Sequence, residues 1–150
     1  MTYNSFWTEL VRKAIEIGIE DNYFAHAGDC DSPSMELSHT GLKRCTYILS
    51  VAPDAGCCIK INHSIQTWNQ KVFDLVQSCA SELEESIGTA LMFDSEQLTI
   101  GLYKNPKLPA VYYQWGETDQ SELAIHLLRC FFILLEEVDH VILNAMDTAY

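Results

Sequence analysis

Hydrophobic positions recur along the chain with two different periods, and each period predicts a different kind of element. Near the N-terminus the spacing is helical, and one face carries Phe6, Trp7, Leu10, Val11, Ala14 and Ile15. Asn4 or Ser5 is suited to cap the start of this helix, and Gly18 lies near its predicted end. A polar, irregular stretch follows over residues 20–33.

A second helix is predicted between Thr67 and Gly88. Thr67 and Gln70 have the spacing of a capping box, in which the glutamine side chain returns to the threonine amide. The apolar stripe of this helix consists of Val72, Val76, Cys79, Leu83 and Ile87. Gly88 suits the left-handed residue that commonly ends a helix, so we expect the helix to stop there.

Alternation with a period of two predicts strands elsewhere in the chain. Residues 45–51 and 57–62 alternate in this way. Between them, Pro53-Asp54-Ala55-Gly56 suits a type I turn followed by a left-handed residue, which predicts a hairpin. The other predicted strands are Met35–His39, Leu91–Phe93, Leu98–Tyr103 and Val111–Trp115. Residues 104–109 contain two prolines and are predicted to form a loop.

The last helix is predicted to begin at Asp119. Between Leu123 and Leu135 it is apolar on almost every face, which is typical of a helix that is central to a fold or also covers a partner. The predicted order of elements is therefore α-β-β-β-α-β-β-β-α. Because hairpins imply antiparallel pairing, we expect one α+β domain over residues 1–150, with a mostly antiparallel sheet packed by three helices.

Composition adds an electrostatic constraint. The 150 residues carry a formal net charge of −12, and the sequence pI is about 4.6. This charge is unfavourable for binding to phosphate backbones or anionic membranes, and it favours a basic protein partner reached by electrostatic steering. The longest apolar run, Cys130–Leu135, is far shorter than a bilayer span. The first residues have no signal-peptide pattern, so we expect a cytoplasmic protein.

The expected cytoplasmic location is a reducing compartment, and this affects the interpretation of the six cysteines. We expect small buried hydrophobic side chains rather than a disulfide framework. Cys57 and Cys58 are the one adjacent pair. Neighbours on a strand point to opposite faces, so one of the two should lie in the core and the other outside it. A vicinal disulfide between them is the alternative.

Metal-binding patterns in the sequence are incomplete. Glu137-x-x-His140 has the spacing of a helical di-iron ligand pair, but a di-iron site needs a second copy and further glutamates. We therefore expect a solvated helix end there. Another cluster matches no zinc or calcium spacing; it consists of His26, Asp29, Cys30 and Asp31. No metal or other cofactor is predicted.

Catalytic patterns are also missing from the sequence. It has no Gly-x-Ser-x-Gly elbow, no glycine-rich phosphate loop and no Walker lysine. A nuclease of the PD-(D/E)XK type has an acidic residue two positions before its lysine, whereas Cys58 stands two positions before Lys60. Asp54 is explained as a turn residue. We do not predict an enzyme, and an unrecognised catalytic site is left as an alternative.

Three segments share residues with a known domain: Phe6-Trp7-Thr8-Glu9-Leu10, Lys71-x-Phe73-Asp74 with Glu82-x-Glu84, and Ile87-Gly88-x-x-Leu91-x-Phe93. They resemble a bacterial domain of unknown function that is often appended to restriction-like nucleases in defence loci. That domain tends to have Trp where this chain has Phe93, and beyond this position the similarity is less clear. The resemblance implies an α+β layout and a setting in bacterial defence or competition. It carries over no catalytic residue.

Acidic residues dominate two long stretches. Between Phe73 and Tyr103 there is no Lys or Arg, and from Ala110 onward Arg129 is the single one. Negative charges concentrated in this way repel one another and oppose folding. They are favourable for binding a nucleic-acid enzyme, whose active cleft is basic. The leading hypothesis is therefore an immunity protein that binds and blocks a basic toxin, in particular a nuclease. The candidate contact residues are Glu82, Glu85, Tyr112, Tyr113, Trp115, Glu117, Asp119, Glu122, Glu136 and Glu137.

Two other functions agree with the same features. One is a phage-encoded anti-defence protein that mimics the charge of nucleic acid. The other is an accessory or oligomerising module of a restriction-like system, in which the apolar helix Leu123–Leu135 forms a homodimer seam. A dimer that forms without any partner would favour the second of these.

Overall fold

The computed structural model describes most of the chain. Backbone and side chains are described for residues 3–19, 23–24, 31–37, 45–51, 55–62, 66–103 and 120–147. Backbone alone is described for residues 21–22, 117–119 and 148–149. Within these ranges no helix is long and apolar enough to span a bilayer.

Helices and strands follow one another in mixed order. The strands are β1 (Ser34–Leu37), β2 (Cys45–Ser50), β3 (Gly56–Ile61), β4 (Met92–Asp94) and β5 (Thr99–Leu102). The α-helices are α1 (Tyr3–Glu16), α2 (Gln66–Ser78), α3 (Ala80–Ile87), α4 (Glu117–Ile133) and α5 (Asp139–Ala149). A 3₁₀ turn, Asp21–Phe24, follows α1, and a π turn, Leu134–Val138, joins α4 to α5.

The described strands form a five-stranded sheet in the order β1-β2-β3-β5-β4, and each neighbouring pair is antiparallel. β2 and β3 form the predicted hairpin, with Ser50 opposite Gly56 and Cys45 opposite Ile61. β5 pairs with the other side of β3, and β4 pairs with β5 and lies at the edge of the sheet. The predicted α+β class with an antiparallel sheet is confirmed. The predicted strand Val111–Trp115 lies outside the described residues.

Helices cover the face of the sheet that carries the buried side chains of β2, which are Cys45, Tyr47 and Leu49. α4 packs on β2 and β3 and against α1, while α2 packs against α5 and α3 against the π turn. The apolar stretch of α4 is therefore central to the fold. Its side chains buried in the chain's own core include Leu123, Leu127, Leu128 and Phe131.

The ends of α1 are fixed by neighbouring segments. Asn4 and Ser5 lie inside the helix, so the prediction that one of them caps it is wrong; Asn4 N–H donates instead to Asp31 Oδ1, 3.3 Å away. At the other end Gly18 has φ +95°. The amides of Gly18 and Ile19 donate to the carbonyls of Ile15 and Ala14 respectively, which is the Schellman arrangement and confirms the predicted end.

The second predicted helix is divided in two. Gln66 already belongs to α2, so Thr67 lies inside the helix, and Gln70 Nε2 donates to Asp74 Oδ1 rather than returning to Thr67. The predicted capping box is therefore wrong. At Cys79 the backbone turns (φ −97°, ψ 10°), next to a Ser78 hydroxyl that donates to the Leu75 carbonyl. Hydroxyls that bond to nearby carbonyls tend to bend helices.

Gly88 ends α3 as predicted, because it adopts φ +86° and its N–H donates to the Glu84 carbonyl. Gly56 has a different role from the predicted one. It is the first residue of β3 and does not have a positive φ. A Cβ at this position would overlap with the Leu102 carbonyl oxygen and the Tyr103 side chain. Glycine is therefore required by close packing and not by a left-handed turn.

Cys57 belongs to the hydrophobic core and Cys58 does not, as predicted from their opposite faces. Cys58 is nevertheless buried, so the expectation that the outer cysteine is exposed is wrong. The described cysteines are free thiols, including this pair. Cys57 faces the helices, and Cys58 lies on the opposite face of the sheet, beside Gly101 in β5. The Tyr103 ring packs over Gly101, and the Tyr103 side chain hydrogen-bonds to Cys58, which explains the burial of this thiol.

Candidate functional site

Four of the predicted contact residues lie on α3 and the π turn, two elements that pack against each other. Ser86 joins the two elements, since its Oγ donates to Glu137 Oε2 over 3.0 Å. Glu82 lies one turn before Ser86 on α3, and Glu136 lies beside Glu137 in the π turn. We call this surface the acidic face, and it consists of Glu82, Glu85, Glu136 and Glu137.

The sequence of α3 directs these carboxylates outward. Leu83 is buried and Ile87 packs against the core, so the opposite side of this short helix is exposed to solvent. Glu82, Glu85 and Ser86 are exposed there. Glu84 has a structural role, because its Oε2 accepts the Leu91 N–H over 3.0 Å and so fixes the segment that leads to β4.

The π turn is attached to the core at both ends. Leu134 and Val138 are fully buried, and the Asp139 N–H donates to the Leu134 carbonyl, five residues earlier. Asp139 also bonds to the sheet: its Oδ1 accepts the Tyr47 hydroxyl over 3.2 Å and lies 3.8 Å from Cys45 Sγ. π turns inside α-helices occur frequently at functional sites. Here the turn presents the exposed Glu136 beside Glu137.

Burial dominates the electrostatics at the base of this turn. It raises the pKa of the Tyr47 hydroxyl far above its ordinary value, and the charges of Cys45 and Asp139 raise it further. Tyr47 therefore stays protonated and donates to Asp139 at neutral pH. Its ring also packs edge-on against Phe131 of α4, with centroids 5.4 Å apart.

No described cation neutralises the acidic face. Within the described ranges, both ion pairs are on α1 and join Arg12 to Glu9 and to Glu16. The Arg12 hydrogen bond lowers the pKa of Glu9, and the two glutamates raise the pKa of Arg12. The carboxylates of α3 and the π turn thus form a surface of one sign.

The other predicted contact residues do not join this surface. Glu122 is exposed on α4, one turn before Ile125. Glu117 and Asp119 belong to the first turn of α4, where only the backbone is described. The aromatic candidates Tyr112, Tyr113 and Trp115 lie outside the described residues.

Three of the described thiols, Cys57, Cys58 and Cys130, are poorly suited to nucleophilic chemistry. Burial raises the pKa of Cys57 well above its ordinary value and also raises that of Cys58, whereas a nucleophilic cysteine needs its thiolate. Cys130 Sγ lies 3.7 Å from His126 Nε2, but Cys130 is buried and the same nitrogen is 3.3 Å from the Ala55 carbonyl oxygen. We interpret this pair as packing at the hairpin.

Metal-binding side chains do not converge in the part of the chain that the structure describes, where no group of three or more could hold an ion. Glu137 accepts from Ser86, and His140 is exposed with Nδ1 3.3 Å from the Glu136 carbonyl oxygen. From the predicted loop cluster, His26, Asp29 and Cys30 lie outside the described residues. Asp31 accepts the Asn4 N–H.

Sequence reasoning missed the residues that position the acidic face. Ser86 could have been found, because it lies four residues after Glu82 on the same side of a predicted helix. Tyr47 and Asp139 could not, because they are 92 positions apart and no local pattern connects them. Comparison with known proteins adds no further guide, since no family model, curated protein or solved structure matches this chain.

Proposed function

We propose that this protein is an acidic inhibitor that acts in the cytoplasm by binding a basic protein. In its most specific form, it is an immunity protein that neutralises a cognate nuclease toxin. The observation that supports this proposal is the acidic face, where α3 and the π turn pack against each other and carry four carboxylates that form no described ion pair.

Electrostatics connects this surface to the partner. Like charges held together oppose folding by self-repulsion, so a surface of one sign is unfavourable unless binding uses it. A nuclease presents a basic cleft to its phosphate substrate, and an acidic protein that occupies the cleft excludes that substrate. Complementary charge also accelerates encounter and orients the two proteins.

The acidic face is also held in place before any partner binds. Ser86 fixes Glu137, and Tyr47 fixes the base of the π turn through Asp139. Groups that are already positioned lose less conformational freedom on binding, which favours affinity. The predicted aromatic contacts Tyr112, Tyr113 and Trp115 would add the apolar anchors that dominate interface energies.

Binding to a purified basic partner, captured by pull-down from the host, tests the proposal. We expect inhibition of that partner's nuclease activity and an affinity that weakens between about 50 mM and about 300 mM salt. The variant E82Q/E85Q/E136Q/E137Q should bind weakly. A control variant, E36Q/D74N/E96Q/D147N, removes the same number of exposed carboxylates from other surfaces and should bind almost normally. Equal loss in both variants, or affinity indifferent to salt, would contradict the proposal.

The two alternatives give different results in the same experiments. A nucleic-acid mimic of phage origin would use the same acidic face but would bind a host defence enzyme and compete with its DNA or RNA. A dimeric accessory module would depend on α4, yet most of its large apolar side chains lie in the chain's own core. A seam there would rest on Ile125, Phe132 and Ile133, and light scattering of the pure protein measures whether it forms.

A further inference from the structure

A groove of about 270 Å³ lies between the C-terminal part of α1 and α4, and it involves neither α3 nor the π turn. Its apolar lining consists of Ile17, Ile125, Leu128 and Phe132. Ile17 is 60% exposed and Ile125 is 41% exposed, so the groove leaves large aliphatic side chains open to water. Burying such surface in a ligand is favourable by the hydrophobic effect.

Cations line this groove on both helices. Lys13 projects from α1, and Arg129 projects from α4. Glu16 also lines the groove, but it pairs with Arg12. Among the described residues neither Lys13 nor Arg129 forms an ion pair. Lys13 also acts on Glu9, since its charge contributes to the lowered pKa of that carboxyl. The groove therefore combines an apolar floor with two positive charges outside any described ion pair, in a chain whose net charge is −12.

We propose that this groove binds a small amphipathic carboxylate. The apolar body of the ligand would cover Ile17 and Ile125, and its carboxylate would lie between Lys13 and Arg129. Guanidinium groups bind carboxylates in a bidentate manner, which fixes the head group. The volume is just below the usual range for small-molecule sites, which favours a small ligand over a folded partner.

The negative net charge of the protein allows specific binding of a carboxylate to be distinguished from nonspecific binding. The field of an acidic protein repels anions and attracts cations, so weak nonspecific binding would favour an amphiphile with a positive head. Preference for a negative head requires local cations that act within about one Debye length, roughly 8 Å at physiological salt. The groove is independent of the acidic face, so this site and the proposed inhibitory function can fail separately.

Octanoate is the test ligand, and octan-1-ol and octylammonium are its matched controls. Titration followed by amide and methyl NMR should show octanoate shifting the signals of Ile17, Ile125 and Phe132. Octan-1-ol should bind more weakly by about fivefold, the upper end of the effect of one favourable exposed charge contact. Octylammonium should not shift the groove signals. Octanoate that shifts no groove signal at millimolar concentration would overturn the proposal.

Single-charge variants locate the head group. Arg129→Gln and Lys13→Gln should each weaken octanoate binding by about twofold to fivefold. Lys71→Gln removes the same charge from the exposed side of α2 and should leave the affinity unchanged. Glu16→Gln removes the carboxylate from the groove lining and should tighten binding. Equal weakening by Lys71→Gln, or unchanged affinity in Arg129→Gln and Lys13→Gln, would overturn the site.

Discussion

Tyr47 in β2 donates its hydroxyl to Asp139, the residue that follows the π turn, across 3.2 Å. This bond joins β2 to the point where the π turn ends and α5 begins. Tyr47 is completely buried, and the same carboxylate oxygen is also approached by Cys45 Sγ. The position of Glu136 and Glu137 on the surface therefore depends on an interaction in the core.

The first prediction concerns this bond. Tyr47→Phe keeps the ring but removes the hydroxyl, so it should lower the free energy of unfolding by about 1.5–3 kcal/mol, as expected for a hydrogen bond to a carboxylate. Urea denaturation of Tyr47→Phe, Asp139→Asn and the double variant gives the coupling between the two side chains. Purely additive effects would show that the bond does not hold the π turn.

Hydrogen exchange should report the same bond locally. Tyr47→Phe should accelerate exchange at the amides of residues 134–139 more than at those of α1, because the π turn loses its attachment to the sheet. Uniform acceleration across the chain would indicate general destabilisation instead.

Local patterns predicted the elements well and their irregularities poorly. The alternation over residues 45–51 and 57–62 predicted the hairpin, and β2 buries alternate residues as that pattern requires. The break at Cys79 and the π turn at Leu134–Val138 lie inside patterns that remain helical in sequence. Packing against other elements determines both, so neither was visible in the order of residues.

Burial on two faces explains the error at Cys58. Alternation predicts one outward neighbour when helices cover only one side of a sheet. Here the Tyr103 ring covers part of the second side and buries Cys58 as well. The acidic face was only partly predicted for a similar reason: the glutamates were visible in sequence, but their meeting depends on how α3 packs against the π turn.

The second prediction is a loss of stability at alkaline pH. The pKa of Cys57 is raised in the folded protein because the thiol is buried, whereas an unfolded cysteine ionises near its ordinary value. The folded state therefore keeps the Cys57 proton up to a higher pH than the unfolded state does. The stabilisation is complete below the unfolded pKa and is lost as pH rises above it, at up to about 1.4 kcal/mol per pH unit for each such group.

Urea denaturation between about pH 7 and pH 10 measures this slope. Cys57→Ala should reduce the slope above the ordinary pKa of cysteine, even though its cavity lowers stability at every pH. Val76→Ala is a matched control, since it creates a cavity at another buried position without removing a titrating group. If both variants keep the slope of the unmodified protein, Cys57 does not cause it.

The third prediction concerns self-repulsion on the acidic face. E82Q/E85Q/E136Q removes three charges and leaves the Ser86–Glu137 hydrogen bond in place. It should raise the free energy of unfolding by about 0.5–1 kcal/mol at low salt, since each like-charge neighbour is destabilising by a few tenths of a kcal/mol. The gain should shrink in high salt because exposed charges are screened.

The control for this variant is E36Q/E96Q/D147N, which removes three exposed carboxylates from different elements. It should give a smaller gain, because its charges are not held side by side. A gain of the same size would assign the effect to net charge rather than to the acidic face.

The fourth prediction contrasts two glycines next to Tyr103. A Cβ at Gly101 would overlap with the Tyr103 ring, whereas a Cβ at Gly56 would overlap with the backbone carbonyl of Leu102. Both alanine variants should be destabilised because neither position has space. The ring can be removed by a second substitution, but the carbonyl cannot, so the two variants should respond differently to Tyr103→Ala.

Double-mutant cycles measured by urea denaturation separate the two cases. Gly101→Ala combined with Tyr103→Ala should recover about 1 kcal/mol or more relative to additivity, the typical cost of overpacking. Gly56→Ala should recover less, because the clash with the Leu102 oxygen remains. Tyr103→Ala alone should also speed modification of Cys58 by a thiol reagent, since the ring covers that side of the sheet. Equal recovery at both glycines would mean that the ring, and not the strand backbone, excludes a side chain from Gly56.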